Sequence, residues 1–246
     1  MNWWARYYDD NYLNIFTEIE QNAATATEVE GIIRMLGLMP PARILDLCCG
    51  FGRHSLVLAE RGFDVTGLDI SQSFLDYAKS RADEQGVYLQ IERCDMREMQ
   101  HEQEFDAVIN IFTAFGFFDN EAEDLKVLQA VSRALKPNGQ FVIDTINRDF
   151  VVHAGQFQTW KQRNGTTVLE ERFFDFFKSR IEIIHHLIDK EKGDRKLESS
   201  FRLYTLTEML EMFDRAGLML TDVYGDFNGS IYSGDSPRMI LVARRR

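Results

Sequence analysis

Between Ala42 and Asn147, short apolar runs alternate with longer amphipathic stretches, the pattern of a parallel sheet assembled from βα units. The runs ARILDLC, DVTGLDI, YLQIERCD, FDAVINIF and QFVIDTIN predict strands, each a short aliphatic block closed by a turn signal. Helical periodicity separates them at Arg53 to Arg61, Ser71 to Gln85 and Asn120 to Leu135. Ser71 stands where an N-cap belongs, and Asn120 with Glu123 has the spacing of a capping box; the third helix stops before KPNG. Beyond Asn147 the apolar period changes to two. QTWKQRNG, TTVLEERFFDFF, RIEIIHHLIDK and KLESSFRLYT predict an antiparallel insertion, with EKGD as a hairpin turn. Thr205 to Ala216 then predicts a helix, with Thr205 and Glu208 in capping-box spacing and Gly217 at its end, and LMLTDVYG and RMILVARR close the chain as strands. Upstream, a helix over about Thr27 to Leu38 leads into the first strand. Tyr8, Tyr12 and Phe16 share one helical face, which either packs on the core or forms a lid.

Composition narrows the class. With 246 residues and 45% hydrophobic content, one domain is expected. Its parts would be an N-terminal helical lid (1–40), a ligand-binding core (41–150), an antiparallel insertion (151–204) and a closing helix with two strands (205–246). No apolar run is long enough to cross a bilayer, and the N-terminus lacks the pattern of a signal peptide, so a soluble cytoplasmic protein is expected. A formal charge of −11 disfavours a nucleic-acid backbone as partner.

The stretch LDLCCGFGRHS, Leu45 to Ser55, opens three readings: redox chemistry, a metal site, or a cradle for a phosphate or cofactor. Adjacent cysteines do not readily form an ordinary disulfide, and the five histidines show no spacing that would complete a metal site, so no metal is expected. The cradle reading fits best. The stretch falls at the turn from the first strand to the first helix, where open α/β sheets bind their ligands. Gly50 and Gly52 permit a tight turn and a close ligand approach, and Asp46 sits at the end of the strand. The second strand ends in Asp69, nineteen residues after Gly50, placed to accept hydrogen bonds from a ribose diol. The third ends in Asp95 and Met96, an acceptor for an exocyclic amine beside an apolar face for a purine. A dinucleotide fingerprint is the first alternative, but Ser55 replaces its third glycine, and Asp46 would oppose a pyrophosphate. An acid there suits a cationic ligand.

On the motifs LDLCCGFGRHS, LDIS, CDMRE, FDAVINIFTAFGFF and LKPNGQFVIDTIN, the chain resembles the class I S-adenosylmethionine-dependent methyltransferases. The resemblance covers most of the chain. It implies a Rossmann-like seven-stranded α/β sheet whose last strand, RMILVARR, is antiparallel, with the small antiparallel β insertion as a lid. It also implies S-adenosylmethionine as cofactor and S-adenosylhomocysteine as product. The Gly50/Gly52 turn, with Cys48 where the family often has glycine, would pass under the methionyl part, and Asp46 would lie near its ammonium. Asp69, with Ile70 beside it, would hold the ribose; Asp95 and Met96 would meet the adenine; Phe112 would line the methionyl side. Arg53 opens the first helix and has two readings, a contact to the cofactor carboxylate or a structural ion pair.

Methyl transfer from a sulfonium is an in-line displacement that positioning alone can accelerate, so no dedicated catalytic side chain is assigned. Tyr7, Tyr8, Phe115 and Trp160 are candidates for aromatic surface around the methyl group. Alternation along FRLYT puts Arg202 and Tyr204 on one face, where they would meet a carboxylate or hydroxyl of the acceptor. The chain lacks the Pro-Pro-aromatic and Pro-Cys signatures of DNA methyltransferases. A small-molecule acceptor methylated at nitrogen is therefore expected, with a homodimer left open as the one protein partnership. The alternatives are a tRNA or protein methyltransferase, a non-catalytic S-adenosylmethionine-binding module and, more distantly, a dehydrogenase.

Overall fold

The computed structural model describes residues 3–8, 12, 23–163, 165–189 and 193–246. A short helix α1 (Trp4–Tyr7) and helix α2 (Ala23–Leu36) precede the strand β1 (Arg43–Leu47). The βα repeat follows as α3 (Arg53–Glu60), β2 (Asp64–Asp69), α4 (Gln72–Gln85), β3 (Gln90–Arg93), β4 (Phe105–Asn110), α5 (Glu121–Ala134) and β5 (Leu135–Ile146). After α6 (Arg148–Ala154) come β6 (Phe157–Arg163), β7 (Thr166–Asp175), β8 (Arg180–Ile188) and β9 (Arg195–Arg202). Helix α7 (Leu206–Ala216) and strands β10 (Leu218–Tyr224) and β11 (Arg238–Arg245) complete the chain.

The main sheet runs β3-β2-β1-β4-β5-β11-β10, with β11 antiparallel to both of its neighbours and the β1-to-β5 set parallel. This is the seven-stranded sheet with an antiparallel last strand that the resemblance implies. Its central strands are buried on both faces, and alternate residues serve different cores. Ile44, Ala107, Ile109, Val142 and Ile240 point to the side of α2, α3 and α4, where they meet Val29, Ile32, Leu58 and Ala78. Leu45, Val108, Phe141, Ile143 and Leu241 point to the side of α5 and α7, where they meet Leu128, Val131, Met212 and Phe213. Strand order reverses between β1 and β4, which opens a crevice at their carboxyl ends.

The helix ends mostly follow their signals. The Asn120 side chain accepts from the Glu123 backbone N–H, Thr205 and Glu208 form a complete capping box, and Gly217 ends α7 in the left-handed region. Ser71 precedes α4 as expected, but its hydroxyl pairs with Ser73 and caps nothing. Helix α2 begins at Ala23, ahead of the expected Thr27. KPNG does not form a separate loop: β5 starts at Leu135, paired with Phe105. Helix α6 was not legible as a periodic segment; it starts where Asn147 accepts from the Asp149 backbone N–H. Phe16 and the Glu191 and Lys192 positions of the EKGD turn lie outside the described residues.

β6 to β9 form a separate antiparallel meander. It docks on the segment after β4 through one buried arginine. Arg180 donates from Nη1 to the Phe118 carbonyl at 2.8 Å and from Nη2 to the Ser200 carbonyl at 2.7 Å, with longer contacts to the Gly116 and Phe117 carbonyls at 3.4 Å. Gly116 lies so close to β9 that a Cβ there would stand 2.2 Å from the Arg202 carbonyl oxygen, and the Arg202 N–H donates to Gly116 O at 2.7 Å.

Candidate active site at the carboxyl ends of the strands

The crevice between β1 and β4 is a partly open cavity, and the ends of four strands contribute to it. From β1 and its turn come Asp46, Cys48, Cys49 and Gly50; from β2, Asp69 and Ile70; after β3, Cys94, Asp95 and Met96; after β4, Ile111 and Phe112. The turn after β1 is fastened to β2 by two backbone links. Cys49 N–H donates to the Leu68 carbonyl at 3.0 Å, and Gly50 N–H donates to Asp69 Oδ2 at 2.9 Å. Gly50 is at φ +56°, and a Cβ there would meet nothing closer than Phe74 Cδ2 at 4.0 Å, so this backbone borders open space. Gly52 is different. It does not line the cavity: it caps α3 at φ +79°, and a Cβ would stand 2.8 Å from Ala78 Cβ, so its role is the close packing of α3 on α4.

Each carboxylate has a distinct state. Asp46 is buried and accepts from Ser55 Oγ at 2.6 Å; burial raises its carboxyl above the ordinary range, opposed by nearby His54 and the Ser55 hydrogen bond. Burial likewise raises Asp69, opposed by backbone N–H groups of Ser71 and Gly50. The Asp69 carboxylate accepts from Ser71 N–H on Oδ1 and from Gly50 N–H on Oδ2, both at 2.9 Å, and also from the Ile70 N–H, which leaves capacity for a further donor. That capacity suits a ribose hydroxyl. At Asp95, burial works against ionisation, but Arg97 outweighs it and holds the carboxyl low. Arg97 occupies Oδ1 through its backbone N–H and Nε, and Oδ2 through Nη2 at 2.6 Å, so one lone pair on Oδ2 remains for a donor such as an exocyclic amine. Met96 is buried beside it, and Cys48 Sγ touches Met96 Sδ at 3.4 Å.

The cysteine pair is chemically quiet. Burial drives both thiols upward, reinforced by Asp69 and Asp46, so they stay protonated and are poor nucleophiles. All three cysteines are free, and no cluster of three metal-ligating side chains occurs among the described residues. Cys48 adopts φ +61°, the conformation that glycine would take without cost.

Phe112 is held in an unusual way. Phe112 and Thr113 both have positive φ, 67° and 64°, a costly conformation for a ring and for a β-branched residue. Asp144 holds them there, accepting from the Phe112 N–H at 2.8 Å and from Arg238 Nε at 2.7 Å. The Phe112 ring contacts the guanidinium carbons of Arg53 at 5.0 Å and Arg238 at 5.7 Å. Arg53 lines the cavity, and its Nη1 is shared with Thr25 and Glu28 of α2, so the ion-pair reading of this residue is realised. His54 Nε2 meets the same Glu28 oxygen at 2.9 Å.

Of the residues expected to meet the acceptor, the structure brings only Tyr8 to the cavity. Tyr7 is buried against β8, its hydroxyl 2.9 Å from His185 Nδ1. Phe115 is in the core against Tyr204, because the positive-φ pair before it turns Ala114 and Phe117 toward the cavity instead. Trp160 stands two-thirds exposed on β6. Tyr204 is buried and donates to Asp124 Oδ2 at 2.7 Å, while Arg202 pairs with Glu208 at 2.9 Å; both are used in joining β9 to α5 and α7. The aromatic wall comes from Trp4, Tyr12, Phe74, Phe117 and Phe118. Tyr12 lay on the face expected to pack on the core or form a lid, and Phe117 and Phe118 belong to the motif FDAVINIFTAFGFF, whereas Trp4 and Phe74 were not assigned to the site. Their signal was present in the aromatic N-terminus and in TAFGFF. Asp144 also had one, as the lone acid inside the apolar run FVIDTI.

The fold and the cavity define an α/β protein that binds a nucleoside-containing ligand at the switch point of its sheet. Residues 44–139 match the family model described as a methyltransferase domain. The chain is 28% identical over 210 residues to YqeM of Bacillus subtilis (strain 168), which is provisionally named a methyltransferase, covering 82% of this chain and 84% of that one. It is 26% identical over 252 residues to the glycine/sarcosine N-methyltransferase of Halorhodospira halochloris, covering 97% of this chain and 90% of that one. Among solved structures, an S-adenosylmethionine-dependent methyltransferase from Clostridium acetobutylicum ATCC 824 shares the fold with a TM-score of 0.80 at 18% identity, covering 94% of this chain and 97% of that one. These similarities support a class I S-adenosylmethionine-dependent methyltransferase, with the family model matched over residues 44–139. No helix among the described residues is long and apolar enough to cross a membrane.

Proposed function

We propose that this enzyme methylates the nitrogen of a small-molecule amine. The observation that carries the reading is the convergence of Asp46, Asp69 and Asp95 with the Gly50 turn on one cavity whose wall is rich in aromatic side chains. Asp69 holds a ribose hydroxyl through its remaining acceptor capacity, Asp95 Oδ2 and Met96 meet the adenine, and Asp46 faces the ammonium. The Gly50 turn passes under the methionyl part, with Ile70 beside the ribose and Phe112 along the methionyl side. S-adenosylmethionine supplies an electrophilic methyl group on a sulfonium.

The protein's contribution is positional. With S-adenosylmethionine bound, the cavity residues would hold its methyl carbon in line with the amine nitrogen, so that the amine lone pair could displace the sulfur, which would keep the electrons of the broken carbon–sulfur bond, and the amine proton would be released to solvent. Holding these atoms in line supplies roughly 7–11 kcal/mol. The N-terminal segment acts as the roof that shields the site from bulk water, with Trp4, Tyr8 and Phe117 offering ring faces to the sulfonium; no described residue of β6 to β9 lines the cavity, so the antiparallel sheet is not the lid expected of it. The likeness to a glycine/sarcosine N-methyltransferase supports nitrogen as the acceptor atom. The −11 charge supports a small acceptor over RNA.

The test has two stages. Calorimetric titration with S-adenosylmethionine, S-adenosylhomocysteine and NAD should show binding of the two sulfur nucleosides alone. A panel of primary and secondary amines, hydroxy acids, tRNA and peptides is then read by mass spectrometry for one added methyl group. Methylated amines support the reading, and transfer only to tRNA, a peptide or a hydroxyl overturns it.

A further inference from the structure

A second polar cluster lies outside the cavity, on the face of the antiparallel sheet that meets the N-terminal segment. Glu170 of β7 and His185 of β8 are cross-strand partners, so their side chains share that face. His185 Nε2 is 2.8 Å from Glu170 Oε2, and His185 Nδ1 is 2.9 Å from the Tyr7 hydroxyl. Arg172, two residues along β7, pairs with the other oxygen of Glu170 at 2.5 Å. Burial opposes the charge on Glu170, but the His185 hydrogen bond and Arg172 outweigh it and bring the carboxyl down to about 2. An ionised Glu170 accepts a hydrogen bond from the Nε2–H of His185, which leaves Nδ1 as the acceptor and Tyr7 as the donor. Burial keeps the Tyr7 phenol protonated, as a donor must be.

Tyr7 belongs to α1, and the residues around it face the other way. Trp4 and Tyr8, one helical turn apart, line the cavity. Trp3 packs edge-on against Phe117 and Phe201, and its indole N–H donates to the Phe117 carbonyl at 3.3 Å. Among the described residues, the segment thus has an aromatic face on the cavity and a polar fastening to the antiparallel sheet through Tyr7, which meets His185 and also lies beside the Ser199 side chain of β9.

We propose that Glu170, His185 and Tyr7 form a fastener that seats α1 so that Trp4 and Tyr8 complete the cavity wall. Tyr7 and His185 are positioning residues acting through those two aromatics, and Glu170 orients the imidazole. The inference goes beyond the acceptor reading and is independent of the acceptor's identity.

The experiment uses the full chain with Trp160→Phe as background. Trp160 is exposed and remote from the cavity wall, and its removal leaves Trp3 and Trp4 as the remaining tryptophans of three. Tryptophan emission and acrylamide quenching report the seating of α1, and calorimetry with S-adenosylhomocysteine reports the cavity. Tyr7→Phe and His185→Leu should shift emission to the red, increase quenching and weaken binding about 3- to 10-fold, the loss expected of one neutral hydrogen bond. His185→Gln, which retains an acceptor for the Tyr7 hydroxyl, should recover most of both signals. If far-UV dichroism shows that His185→Leu does not fold, Tyr7→Phe decides. Unchanged emission and affinity in Tyr7→Phe overturn the fastener, as does weaker binding with unmoved tryptophan signals. Failure of the background protein to bind S-adenosylhomocysteine strikes the cofactor reading instead, and the emission comparison still stands.

Discussion

The Asp69 carboxylate accepts the backbone N–H of Gly50 at 2.9 Å, tying the end of β2 to the turn after β1. The same carboxylate therefore shapes the turn and lines the cavity. Asp69→Ala should weaken S-adenosylhomocysteine binding by about 100-fold or more, because hydrogen bonds to a charged group contribute roughly 1.5–3 kcal/mol each. Asp69→Asn, with one acceptor left, should fall between. Calorimetric titration of the three proteins makes the comparison, and equal affinities would remove Asp69 from the ribose role.

Gly50 and Gly52 should respond oppositely to alanine. At Gly52 the added Cβ meets Ala78 at 2.8 Å in a left-handed conformation, so Gly52→Ala should destabilise the fold by about 2–4 kcal/mol in urea titration. At Gly50 the Cβ enters open space, so Gly50→Ala should lose only about 1–2 kcal/mol of stability and lose ligand affinity instead. Equal stability losses at the two positions would contradict this division.

Arg180→Met should leave the carbonyls of Phe118 and Ser200 without their buried donor and cost about 3 kcal/mol or more of stability. Arg180→Lys should recover little, since an ammonium cannot reproduce the fork that reaches both carbonyls. Chemical denaturation measures both. Full recovery by lysine would mean that charge, not fork geometry, seats the antiparallel sheet.

Asp124 gives a pH dependence with a definite sign. Burial, opposed by the Tyr204 hydrogen bond, pushes its carboxyl up to about 6, above the value of about 4 in an unfolded chain. The folded state thus holds this proton more tightly. The contribution is full below about pH 4 and is lost as pH rises through about 6, amounting to about 3 kcal/mol over that window. Asp124→Asn should flatten the stability profile between pH 4 and 6 by about that amount and be the more stable protein at pH 8. Urea titrations at half-unit steps test it, and parallel profiles for the two proteins would refute it.

Much of the scaffold was legible because buried parallel strands and amphipathic helices write their periods into the chain. Asp46, Asp69 and Asp95 were legible for a related reason: a carboxylate at the end of a predicted strand is placed by that strand. The acceptor side was not. Tyr204 and Arg202 alternate as predicted, but alternation does not say whether a face meets a pocket or another helix, and here Asp124 and Glu208 claim them. The register after β4 was hidden by the positive φ angles of Phe112 and Thr113, which depend on Asp144 and Arg238 far along the chain.

The sequence by itself determined the order of the strands and of most helices, the caps at Asn120 and Thr205, and the acids that crown successive strands, since these rest on local periodicity and hydrogen bonds between near neighbours. Tertiary structure decided which aromatics border the cavity, that Gly52 packs against Ala78 and lies off the cavity lining, and that Tyr7 turns away toward His185. Those outcomes depend on contacts between segments far apart in the chain, which no local pattern records.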